Sequence, residues 1–249
     1  MKNLKTDLFV CIDCETTGLD PKVDEIVEIA ITLFSFEEIK SSYETLVKPP
    51  IVIPESSIQI HHITNEMVQG KPQIAEVLPQ ILAMASEHVI VGHNISFDIE
   101  MISETAKRLS IPCKIHRNKT IDTLRLARLY GQSEVNSLEA LRNHFNIPNE
   151  GAHRAMSDVI VNIQVFKRLA ANFKTTGEIL ERLKRPILLR AIPLGKHKGR
   201  PFKEIPREYL LWAARQNFDQ DLLYSIKTEL SARNKGGRFE QAANPFSSL

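Results

Sequence analysis

Leu8-Phe9-Val10-Cys11-Ile12-Asp13-Cys14-Glu15-Thr16-Thr17-Gly18-Leu19-Asp20-Pro21 is the stretch on which the fold turns. Its first five residues are an unbroken apolar run, which reads as a buried strand, and the last six are dense turn chemistry. Asp13 and Glu15 therefore stand at a strand end. Two apart on a strand, they point to the same face of the sheet. Cys11 and Cys14 have the spacing of a redox or half-zinc motif, but a second cysteine pair is missing and a thioredoxin-like motif would open a helix. Both cysteines read as ordinary strand residues.

Outward from this strand, Ile26 to Phe36 is rich in β-branched residues and Ser42 to Val47 alternates, so two more strands complete an antiparallel meander. Pro49-Pro50 and Pro54 close it. The pattern then changes to strand–helix alternation. Ala75 to Ser86 has helical spacing, His88 to Gly92 is a short buried strand, and Ser96 is the expected N-cap of a helix over Phe97 to Leu109. Thr120 to Thr123 is a fifth strand, followed by helices over Leu124–Tyr130, Ser137–Phe145 and Ser157–Phe173. A meander followed by alternation predicts an α/β fold with a mixed five-stranded sheet flanked by helices.

The 249 residues, 43% hydrophobic, suffice for one generous domain and a smaller one. The expected organisation is a first domain over 1–174, a linker over 175–190 carrying a short helix, a small basic α+β module over 191–235, and a flexible tail over 236–249. The module is expected to hold helices over Glu208–Gln216 and Gln220–Asn234. No apolar run approaches a membrane span, so no membrane partner is expected, and three cysteines without a disulfide framework suit a cytoplasmic setting. The net charge of +2 hides an asymmetry. From Lys184 to Arg207 there are eight Lys/Arg against Glu204 alone, which makes that stretch +7 and the remainder −5. A polyanionic partner follows from such a patch.

Three segments carry the chemistry: Asp13-Cys14-Glu15-Thr16-Thr17-Gly18, His93-Asn94-Ile95-Ser96-Phe97-Asp98 and His153-Arg154-Ala155-Met156-Ser157-Asp158. Singly, each has a bland explanation: a solvated strand acid, a helix-dipole partner, a chance spacing. Together and in this order they resemble the motifs of the DEDDh exonuclease family, which includes the proofreading epsilon subunit of bacterial DNA polymerase III and ribonuclease T. The resemblance spans Leu8 to Phe173 and implies a ribonuclease H-like core. It also implies a 3′–5′ exonuclease acting on single-stranded or 3′-end DNA, with Asp13, Glu15, Asp98 and Asp158 as ligands of two Mg²⁺ or Mn²⁺. Asp13 would bridge both ions, Asp158 would complete the first shell, and Asp98 would hold the second ion largely through water. Thr16, Thr17, Gly18, His61, Asn94 and Phe97 are assigned by the same resemblance to the pocket for the terminal nucleotide. The family often has glycine where this chain has His62.

Elementary chemistry points the same way. Phosphodiester hydrolysis is served by two cations about 3.5–4 Å apart, and hard divalent ions prefer carboxylate oxygens. His153 and Asp158, five residues apart, would lie about 140° apart on one continuous helix. If the helix starts near Ser157, His153 rides on the preceding loop, placed to act as general base. RNA trimming by the same machinery is the enzymatic alternative, since nothing in the motifs reads the sugar. A noncatalytic adaptor for a polymerase or nucleic acid is the alternative of another class, disfavoured because four converging carboxylates repel without a cation.

Beyond the linker, Pro193 to Arg200 and Ile205 to Trp212 resemble a small domain family carrying a quorum-sensing-regulated virulence factor label. There Tyr209, Leu210, Trp212 and Ala213 read as helix core, and the basic turn Gly195 to Pro201 as either a phosphate contact or a solvated loop.

Overall fold

The computed structural model describes residues 3–133, 135–148 and 154–242, with side chains as far as residue 234. It divides into two compact units, 1–183 and 184–249. In the first, β1 (Phe9–Thr16), β2 (Ile26–Phe34) and β3 (Ile39–Leu46) form the expected meander. They are followed by α1 (Glu55–His61), α2 (Ile74–Ala85), β4 (Val89–Gly92), α3 (Ser96–Arg108), β5 (Thr120–Asp122), α4 (Thr123–Tyr130), α5 (Leu138–His144), α6 (Ala155–Leu169) and α7 (Thr176–Leu183). The sheet order is β3-β2-β1-β4-β5, with β1 antiparallel to β2 and parallel to β4.

The period-2 geometry of β1 explains why this strand is central. Phe9 and Cys11 enter the core cluster shared with Val159, Ile163 and Phe166 of α6. Val10, Ile12 and Cys14 enter the opposite cluster with Val77, Leu78 and Ile81 of α2 and Met101 and Ile102 of α3. Both faces are covered, so the run is apolar at every position until Asp13. Asp13 and Glu15 continue the Phe9–Cys11 side, which puts them on the α6 face. Both cysteines lie in the strand as expected, and burial pushes both thiols up, keeping them protonated.

Several boundaries differ from expectation for identifiable reasons. Helix α6 begins at Ala155, two residues before Ser157, because the Glu28 carboxylate accepts the Ala155 N–H at 2.9 Å. Ser96 is inside α3 and not its cap. Ile95 occupies the N-cap without a side-chain bond, and left-handed Asn94 turns the chain so that its carbonyl accepts Phe97 N–H at 3.1 Å. Helix α1 was not anticipated, since its seven residues are too few to show a period. It ends at His62, whose φ of 60° lies in the left-handed region and whose N–H donates to the Ile58 carbonyl at 2.7 Å. That is the conformation glycine adopts freely, and a histidine there costs about 1 kcal/mol.

The segment expected as a linker begins with α7, which belongs to the first unit. Ile179 and Leu183 are buried in the α6 cluster, Thr176 Oγ1 donates to Asp7 Oδ2 at 2.6 Å, and Arg125 donates to the Leu183 carbonyl at 2.6 Å. The units therefore meet between Leu183 and Lys184.

The second unit contains α8 (Arg207–Ala213) and α9 (Gln220–Ala242), and among the described residues its extended structure is one antiparallel bridge, Ala191 to Pro201. Ile192, Phe202, Ile205, Leu210, Ala213, Leu222 and Ile226 form its core. Leu210 and Ala213 are core as expected, Tyr209 packs against it half-buried, but Trp212 is 51% exposed. Helix α9 continues to Ala242 into the stretch expected as tail, since a helix once nucleated adds one backbone bond per residue without needing packing. Residues 243–249 lie outside the described residues. Among the described residues no helix is long and apolar enough to cross a membrane.

Candidate active site

The carboxylates of Asp13 and Glu15 on β1 and of Asp158 in the first turn of α6 offer oxygens that all lie within 4.8 Å of one another. The strand supplies two of them on one face. The helix covering that face supplies the third, aimed from its electropositive end. Asp98 approaches from α3, on the other side. It is buried, and its Oδ1 accepts the Cys14 N–H at 3.0 Å. The pairing of β4 with β1 stops at Cys11, and Asp98 takes a donor beyond that point.

The electrostatics match the crowding. Burial, followed by repulsion from Asp98, Glu15, Asp158 and Glu28, raises the Asp13 carboxyl well above the usual range. Burial, then Asp158 and Glu28, pushes Glu15 up to about 7, opposed by Arg154. Asp98 is pushed up to about 8 by burial, with Glu15 and Asp122 adding to it against the backbone N–H groups of Asp98 itself and Cys14. Carboxyl groups raised by burial, and further by one another, are suited to a divalent cation, which replaces shared protons with charge compensation.

A sign follows for stability. A carboxyl whose folded pKa lies above its unfolded value holds extra protons in the native state between the two. The cation-free protein is therefore expected to lose thermal stability as pH rises from about 4 to about 8, given the values of about 7 and about 8 for Glu15 and Asp98. Mg²⁺ should restore more at pH 8 than at pH 5. Melting curves with chelator or Mg²⁺ across this range check it, and a pH-independent gain from Mg²⁺ would contradict it.

Two residues missed in the sequence hold the cluster in place. Glu28 on β2 pairs with Glu15 in the sheet register and is 2% exposed. Its carboxylate accepts Arg154 Nε at 3.0 and 3.1 Å, Arg154 Nη2 at 2.6 Å and the Ala155 N–H at 2.9 Å. One side chain thus pairs with Arg154, anchoring it, and caps α6 one turn before Asp158. The available signal was a lone acid inside Ile26-Val27-Glu28-Ile29-Ala30-Ile31, since buried charges are rare unless paired. Asp122 is the other. It caps α4 through Leu124 N–H at 2.9 Å and accepts Asn94 N–H at 3.0 Å, fixing the loop that leads to Asp98.

Of the residues expected to contact a nucleotide, Thr16, Thr17 and Gly18 form the turn after β1. Thr16 Oγ1 donates to the Gly18 carbonyl at 2.7 Å, Thr17 Oγ1 donates to Asp24 Oδ1 at 3.0 Å, and a Cβ on Gly18 would fall 2.5 Å from the Asp24 carboxylate. From α1, Ser57 Oγ donates to the Thr17 carbonyl at 2.7 Å, and His61, one turn on, is 2% exposed. His61 Nδ1 accepts the Ile63 N–H at 3.0 Å, and burial lowers the ring's pKa against the opposing pull of the Thr16 backbone. Asn94 is exposed and Phe97 packs into the α2–α3 cluster. His153 lies outside the described residues.

Comparison with known proteins adds three findings. The family profile described as "Exonuclease" matches residues 10–166, and one described as "Putative quorum-sensing-regulated virulence factor" matches 181–228. A DNA polymerase III PolC-type of Thermotoga maritima is 37% identical over 169 residues, 68% of this chain and 12% of that protein. A DNA polymerase III subunit epsilon of Aquifex aeolicus is 33% identical over 168 residues, 67% of this chain and 82% of that protein. The chain thus spans about an eighth of its PolC-type relatives and most of the epsilon relative. The solved structure described as "Exonuclease X in complex with 5' overhanging duplex DNA" superposes with a TM-score of 0.57 at 28% identity, covering 71% of this chain and 99% of that one.

Proposed function

The chain belongs to the exonuclease family, and from that premise we propose that it is a metal-dependent 3′–5′ exonuclease that removes nucleoside 5′-monophosphates from the 3′ end of DNA, of proofreading or repair type. The convergence of Asp13, Glu15 and Asp158, with Asp98 fixed beside them, carries the reading. In support, the epsilon relative matches along 82% of its length, and the superposed exonuclease was solved on DNA with a single-stranded overhang. Two Mg²⁺ or Mn²⁺ fit the donor set, all hard carboxylate oxygens: Asp13, Glu15 and Asp158 would hold one, Asp13 and Asp98 the other. When bound, they supply an activated water and neutralise charge developing on the phosphate and leaving oxygen.

The chain's own residues do the rest. The Thr16-Thr17-Gly18 turn, Asn94 and Phe97 hold the terminal nucleotide, and His61, buried at the end of α1, supports that turn from behind. Glu28 and Arg154 fix the start of α6, so Asp158 meets the strand carboxylates without reorganising. His153, immediately before that anchor, takes the proton of the attacking water as general base. A polymerase subunit is the partner consistent with the epsilon and PolC-type relatives.

The test is digestion of 3′- and 5′-labelled single-stranded DNA and RNA with Mg²⁺, Mn²⁺ or chelator. Stepwise, cation-dependent loss from the 3′ end is expected, faster on DNA, with His153→Ala slower by about a hundredfold. Faster cleavage of RNA would make it an RNA-trimming enzyme. Binding without cleavage of either would make it an adaptor, whose four repelling carboxylates would then lack a purpose.

A further inference from the structure

We propose that the second unit is a single-stranded nucleic-acid clamp, in which a base stacks on Trp212 and the backbone phosphates lie along Lys196, Lys198 and Arg200. The proposal goes beyond the exonuclease reading and involves none of its residues.

The starting observation is a misplaced tryptophan. An exposed large aromatic is informative where a scattered Leu is not. Trp212 is 51% exposed on α8 beside the exposed Leu211, while its helix neighbours Leu210 and Ala213 are fully buried. It does not stand alone. The Tyr209 ring lies 5.3 Å from Trp212 at an interplanar angle of 47°, and His197 meets Tyr209 edge-on at 4.6 Å. Three aromatic rings thus run from the helix to the basic turn.

That turn is built to stay where it is. Gly195 has a φ of +75°, and a Cβ there would fall 2.7 Å from the Tyr209 hydroxyl, so glycine lets the turn seat directly on the ring. Lys198 N–H donates to the Gly195 carbonyl at 3.0 Å, Gly199 N–H to Ile192 at 2.8 Å and Arg200 N–H to His197 at 3.0 Å. Lys196, Lys198 and Arg200 are exposed on either side of His197. Lys203, Arg207 and Arg215 are also exposed, against Glu204 and Glu208 as the acids of the same stretch.

Charge complementarity chooses a polyanion over an apolar protein face, and the aromatic surface chooses one with bases. Base–aromatic stacking beside a positive track is the general solution for single strands, tolerant of sequence because every base has a π-face. A duplex would present phosphates without a free base to stack.

Trp212 is the sole tryptophan of the chain, so it reports its own occupancy. The experiment uses the full chain carrying Asp13→Asn in chelator, so that failure here is separable from failure of the exonuclease reading. Oligo-dT and oligo-U of twenty nucleotides are titrated, with intrinsic emission and the anisotropy of a labelled oligonucleotide recorded together. Either homopolymer is expected to quench Trp212. Trp212→Ala should weaken binding about tenfold, with Trp212→Phe retaining most of it. Lys196→Ala with Lys198→Ala should flatten the slope of log K against log salt by about 1.4. Saturation by anisotropy without any change in Trp212 emission would overturn the proposal. So would heparin quenching Trp212 as strongly as the oligonucleotides, since heparin carries charge but no base.

Discussion

Asp13→Asn is expected to reduce 3′-end hydrolysis by at least about a thousandfold while leaving the fold intact, because it removes several kcal/mol of charge stabilisation at about 1.4 kcal/mol per decade. Asp13 is the carboxylate on which repulsion from Asp98, Glu15, Asp158 and Glu28 converges. An amide at this position keeps the shape and removes the charge. The same change relieves repulsion, so the variant without added cation should melt no lower than the parent above pH 7, and the two effects carry opposite signs. Gel-resolved digestion in Mg²⁺ beside melting curves in chelator checks both. A variant that retained turnover within tenfold would remove Asp13 from the reaction.

Glu28→Ala is expected to cost stability as well as activity. Glu28 is 2% exposed and accepts from Arg154 and from the first N–H of α6, whereas the Arg154 side chain is 46% exposed and can turn to water. The loss therefore falls on the helix end and the cavity, at about 3 kcal/mol, the low end for a broken buried pair. For a chain of this size that is roughly a 10 °C fall in Tm. Turnover should fall with it, since Asp158 is one helical turn beyond Ala155. Glu28→Gln, which keeps the shape and one acceptor, should recover part of the stability. A Glu28→Ala melting temperature within 2 °C of the parent would show that the clamp is incidental.

The two variants differ in how readable their residues were. Asp13, Glu15, Asp98 and Asp158 stand in local patterns, a strand end, a helix first turn and a spaced pair, so each leaves a mark in a short window of sequence. The alternation of β1 even places the first two on the face that α6 covers. Glu28 is marked only as a lone acid in an apolar strand, which says that it is paired but not with what, because its partner is 126 residues away. Helix boundaries failed for the same reason. Ala155 starts α6 through a bond from another strand, and α7 joins the first unit through Asp7 and Arg125, neither of which is near it in sequence. Trp212 is exposed and not core because a seven-residue helix has room for two core positions in two turns, and Leu210 and Ala213 take them.

The short reach of β4 has an implication for variation at this site. Asp98 is oriented by a main-chain N–H, that of Cys14, beyond the last β1–β4 pair. Every amino acid but proline brings that donor, so the residue at 14 can drift with the demands of the hydrophobic layer it faces while Asp98 stays aimed. What cannot drift is strand length: two more paired residues on β4 would claim the donor for the ladder and evict the carboxylate. The socket is thus inherited as topology, not as a side chain.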